Sequence, residues 1–83
     1  MEKISVVQMQ NNQIEVRTKT DARFYSYGTC IAVIEYGKEI VLSDNPNHFT
    51  NTTVKWLNRW LEIWLDGVTY KSIKKTAKRA ELN

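Results

Sequence analysis

Residues 50–66, Thr50-Asn51-Thr52-Thr53-Val54-Lys55-Trp56-Leu57-Asn58-Arg59-Trp60-Leu61-Glu62-Ile63-Trp64-Leu65-Asp66, carry all three tryptophans of the chain. Projected at about 100° per residue, they form one amphipathic helix. Lys55, Asn58, Arg59, Glu62 and Asp66 share a polar arc. Val54, Leu57, Leu61 and Leu65 make an aliphatic stripe, and Trp56, Trp60, Ile63 and Trp64 make an aromatic stripe beside it. The apolar arc spans about 200°, whereas a helix lying on one sheet needs about 100° or slightly more. The excess requires a second cover, from the C-terminal segment, another copy of the chain or a target. Trp56, Trp60, Ile63 and Trp64 are therefore candidate partner-binding residues. Internal packing gives aromatic residues the same spacing, so periodicity alone does not separate the two roles.

The ends of this helix are marked. Thr50 or Asn51 offers an N-cap oxygen, although no Glu or Gln completes a capping box. Phe49 suits a hydrophobic staple, and Gly67 stands just past Asp66, where left-handed geometry ends helices.

Upstream, the pattern is that of strands. Ile4 to Met9 is rich in β-branched residues, and Ile14-Glu15-Val16-Arg17 alternates apolar with charged. Gln10-Asn11-Asn12-Gln13 supplies the turn of a first hairpin, one face of which looks to the core. Ala22 to Tyr27 and the apolar run Cys30 to Ile34 follow, with Gly28 marking a bulge or a tight connection. Gly37-Lys38 suits a hairpin turn into Ile40-Val41-Leu42. Residues 43–48, with the one proline, are loop.

Beyond Gly67, Thr69 or Ser72 can cap a second helix. Lys71, Lys74, Lys75 and Lys78 share one of its faces, although residues 76–83 also suit a short strand. Residues 1–66 hold seven Lys/Arg against eight Asp/Glu, and residues 67–83 hold five against one. The formal charge of +3 thus belongs to the C-terminal segment. Clustered cations of this kind neutralise a nucleic-acid backbone, so Lys71, Lys74, Lys75, Lys78 and Arg79 are the alternative, nucleic-acid-binding set. The order helix, glycine turn, basic helix loosely mimics a helix-turn-helix. The second helix, however, offers lysines where base recognition uses Arg, Asn or Gln.

The chain of 83 residues is read as one domain: 1–43 β-rich, 44–49 loop, 50–66 main helix and 68–83 basic segment. The expected fold class is α+β. A small antiparallel sheet of about five strands, meander-like, carries the main helix across one face and a short basic C-terminal helix. One cysteine excludes an internal disulfide and a cysteine-cluster zinc site, and Cys30 lies among apolar neighbours. His48, the single histidine, sits in the loop with no orienting partner evident from sequence. Tyr25, Tyr27 and Tyr36 are read as cross-strand packing rather than a base-stacking platform. No phosphate loop or catalytic pair is found, so the chain is read as non-enzymatic, without catalytic residues, metal or cofactor. No apolar run approaches a membrane span and the N-terminus lacks a signal-peptide core. The expected location is the cytoplasm.

Phe24-Tyr25-Ser26-Tyr27-Gly28-Thr29-Cys30-Ile31-Ala32, then Ile40-Val41-Leu42, then Thr50-Asn51-Thr52-Thr53 leading to Leu57-Asn58 and Leu61, resembles a group of short phage and prophage proteins of Gram-positive bacteria. Those proteins share an S-Y-x-T-x-I-A strand, a hairpin to a V-x-L strand and a threonine-rich helix start. The resemblance covers residues 24–61 and brings no catalytic residues. It implies a small accessory protein that binds and modulates or inhibits a host or defence protein, an anti-CRISPR-like inhibitor being one form. A homodimer sealed through the aromatic stripe is compatible with this expectation and with nucleic-acid binding.

Overall fold

The computed structural model describes residues 4–83; the part of the N-terminal reading that falls on Met1–Lys3 lies outside them. Six strands form one sheet in the order of the sequence: β1 (Ser5–Gln10), β2 (Gln13–Arg17), β3 (Asp21–Ser26), β4 (Thr29–Glu35), β5 (Ile40–Ser43) and β6 (Lys78–Ala80). The first five make the expected antiparallel meander. The sixth returns to pair parallel with β5, so the sheet is mixed rather than antiparallel throughout.

Short turns fix the register. Asn12 supplies the left-handed residue of the first hairpin (φ 66°), as an Asn tolerates. Tyr27 and Gly28 both have positive φ, 52° and 77°, in a two-residue connection of the kind that matches strand twist. The β3–β4 pair also shifts register between Phe24 and Tyr25, leaving Ile31 without a direct partner.

Helix α1 (Asn51–Trp64) begins at Thr50, whose hydroxyl accepts the Thr53 N–H. It lies across β2 and β3. Leu57, Trp60 and Leu61 are buried against Phe24, Ala32, Ile34 and Leu42, and the Phe24 and Trp60 rings stack at 5.8 Å. Helix α2 (Tyr70–Ile73) is a single turn, capped by Thr69 with Ser72 completing a capping box. The basic C-terminal helix expected from the lysine spacing is therefore cut to four residues. Lys78 and Arg79 belong to a strand.

Alternation along β2 is inverted relative to ordinary burial. Ile14 and Val16 lie half-buried on the outer face, while Gln13 and Glu15 are buried under α1. A polar layer thus runs beneath the helix. Ser26 and Thr53 hydroxyls meet there at 2.8 Å, and the Gln13 amide finds no partner among the described residues.

Candidate functional site

The centre of the helix–sheet interface is the Glu15 carboxylate. One of its oxygens accepts the indole N–H groups of Trp60, at 2.6 Å, and of Trp64. The other oxygen accepts from Arg17, whose guanidinium also lies over the Trp64 ring, 4.9 Å from its centroid. Trp60 and Trp64 are four residues apart, so both point down one face of α1, and Glu15 meets both from the strand below. Buried charge is costly unless hydrogen-bonded and paired, and here it is both.

This network divides the four residues of the aromatic stripe. Trp60 has no exposed surface and belongs to the core, which removes it from any surface available to a partner. Trp64 is partly buried between Arg17 and Tyr36, whose ring lies 5.7 Å away. Trp56 is half-buried, with Arg59 and Lys55 over its ring at 5.2 and 5.6 Å. Ile63 stays 58% exposed.

Trp56 and Ile63, seven residues apart, fall within about 20° of each other around the helix. The opposite flank carries Asn58, whose side-chain oxygen accepts the Tyr70 N–H at 2.8 Å and ties α1 to α2. Trp56 and Ile63 thus form an apolar shelf on the flank of α1 away from α2. Its rim carries the two cations over Trp56.

The basic set is rearranged more strongly. Lys71 lies on α2, Lys74 and Lys75 on the turn after it and Lys78 on β6, all exposed. They do not share one helical face. Arg79 is committed internally. Its guanidinium donates to the Ser43 carbonyl at 3.0 Å and the Lys74 carbonyl at 2.9 Å, and it covers the stacked rings of Phe49 and Tyr70.

His48, for which no orienting partner is evident from sequence, is hydrogen-bonded locally, its Nδ1 lying 2.6 Å from the Ser43 hydroxyl. Ser43 is 1% exposed and its oxygen also accepts the Asn45 N–H, so the pair fastens the loop and presents no accessible nucleophile. Tyr25, Tyr27 and Tyr36 occupy the outer face, the β3–β4 turn and the Trp64 contact, and form no common platform. On the outer face, an open groove of about 880 Å³ runs past Val33 and Val41. Its cations Arg23, Lys38 and Lys78 are matched by Glu35, Glu39 and Glu81. Across this face the C-terminal residues reach β4, where the Asn83 amide both donates to and accepts from the Cys30 backbone.

Residues 4–80 match the model of a family of unknown function (DUF8033). The chain belongs to that family. The matched span runs from the start of β1 to the end of β6, so it includes the edge strand, the Glu15 network and the apolar shelf. No curated protein and no solved structure matches the chain. No helix among the described residues is long and apolar enough to cross a membrane.

Proposed function

We propose that the chain is a non-enzymatic protein-interaction module that binds its partner through the Trp56–Ile63 flank of α1. The observation that carries this reading is the exposure of Ile63, 58%, beside a half-buried tryptophan on a flank that neither the sheet nor α2 covers. Apolar residues exposed in this arrangement, with a tryptophan among them and a cationic rim, have the composition of an interface centre. The resemblance to short phage and prophage proteins makes a host or defence protein the class of partner, and modulation or inhibition the mode of action.

Affinity capture from a bacterial lysate, with and without nuclease, tests this reading. A protein that is retained after nuclease treatment, and still captured when Lys74, Lys75 and Lys78 are neutralised together, supports it. Nucleic acid recovered by the native chain and lost on that neutralisation would instead favour phosphate binding by the exposed lysines.

A further inference from the structure

The two edges of the sheet are built differently. Strand β6 has three residues, two of them the exposed cations Lys78 and Arg79. Short, charged edges are how sheets avoid pairing with other chains. Strand β1 has six residues, Ser5-Val6-Val7-Gln8-Met9-Gln10, without a charge, a glycine or a proline. Among the described residues nothing pairs with its outer edge. It is also exposed on both faces: Val6 is 63% exposed on the outer face, Val7 42% on the inner, and the preceding Ile4 60%. The register shift between Gln8 and Gln10 interrupts the C-terminal end of this edge, but the regularly paired stretch Ser5–Gln8 carries no charge and no proline, and nothing covers it among the described residues.

We propose that β1 pairs antiparallel with β1 of a second copy of this chain, joining two six-stranded sheets into one. Three observations favour a second copy over another occupant. Self-pairing brings no like charges face to face, because the strand has none. The outer-face row Val41–Val33–Arg23–Val16–Val6 reaches the edge at Val6, so a two-fold axis near Val6 and Val7 continues the Val16–Val6 contact into its copy. The blunted β6 edge cannot accept a further β1, so the association closes at two copies instead of growing into a fibre.

The geometry leaves the proposed partner surface open. Helix α1 lies over β2 and β3, and strands are spaced about 4.8 Å apart, so the two α1 axes stand about 19 Å from each other. Helices in direct contact pack at about 8–10 Å. The Trp56–Ile63 flanks of the two copies therefore do not cover each other. The copies meet through β1 and not through the tryptophan stripe, whose Trp60 is buried within each chain.

Sedimentation equilibrium of the purified chain, with Val6→Lys alongside, tests the proposal. Native protein should sediment at twice the chain mass at micromolar concentration. The lysine variant, at a position that is exposed in the single chain, should keep its circular dichroism spectrum and sediment as one chain. A native chain that stays monomeric to millimolar concentration overturns the proposal, as do a dimer that Val6→Lys leaves intact and a mass that keeps growing with concentration. Should Val6→Lys fail to fold, oxidation of Val6→Cys and Val7→Cys chains decides. A disulfide needs Cα atoms within about 7 Å, so at least one of the two should yield a covalent dimer, and failure of both overturns the pairing. A monomer that still captures a protein through Trp56 would defeat the dimer and leave the interaction function standing.

Discussion

Glu15 and Trp60, 45 residues apart in the chain, meet at 2.6 Å between carboxylate oxygen and indole nitrogen, both fully buried. Glu15 also serves the Trp64 indole and Arg17, so one side chain sets the rotation of α1 on the sheet. Removing the carboxylate strands two indole donors and the guanidinium. Glu15→Ala should destabilise the fold by about 3–5 kcal/mol, as breaking a buried charged network does. Glu15→Gln, which keeps one acceptor oxygen, should cost less. Chemical denaturation measures both; equal and small losses would show that the network is dispensable.

Gln13 presents the converse case. Its side chain is buried with neither polar atom partnered among the described residues. An unsatisfied buried amide costs about 1–3 kcal/mol, so Gln13→Met, similar in length and apolar, should raise the stability by about 1 kcal/mol. A fall in the denaturation midpoint would show that the Gln13 amide is satisfied in solution.

Arg79 differs from the lysines around it. It holds two carbonyls and covers two aromatic rings, so Arg79→Ala should cost about 1.5–3 kcal/mol. Lys71→Ala and Lys75→Ala, at exposed positions, should stay within about 0.5 kcal/mol of the native chain. Thermal or chemical unfolding of the three variants checks the contrast.

Burial pushes the Cys30 thiol up from its ordinary range. The fold thus favours the neutral thiol. The stability linked to it is intact below the unfolded-state value and is lost as pH rises through the folded one. Unfolding free energy of the native chain should fall more steeply at alkaline pH than that of Cys30→Ala. Asn83→Ala, which removes the two contacts to the Cys30 backbone, should speed labelling of the thiol by a maleimide.

Much of this architecture was legible in the sequence, for local reasons. Thr50 opens α1 because caps act within one turn, although α1 ends at Trp64, two residues before the expected Asp66, and Gly67 turns the chain after it; Asn12 and Gly28 mark hairpins because their backbone angles demand it. Three features were not legible. The buried placement of Glu15 opposes the alternation rule and depends on indoles 45 and 49 residues away. The lysine spacing at 71, 74, 75 and 78 suited a helix, but after one turn the chain leaves to pair with β5, a long-range gain that local periodicity does not register. The wide apolar arc of α1 correctly signalled more surface than one sheet covers. Which tryptophans it buries, Trp60 fully and Trp56 and Trp64 in part, only the fold supplied.

The most direct test of the interaction function is Trp56→Ala, read for stability and for partner capture in the same preparation. Trp56 is half-buried at the margin of the core, so its truncation should bring a small loss of melting temperature with a large loss of the captured protein. A large loss of melting temperature with capture undiminished would contradict that function and return Trp56 to the core.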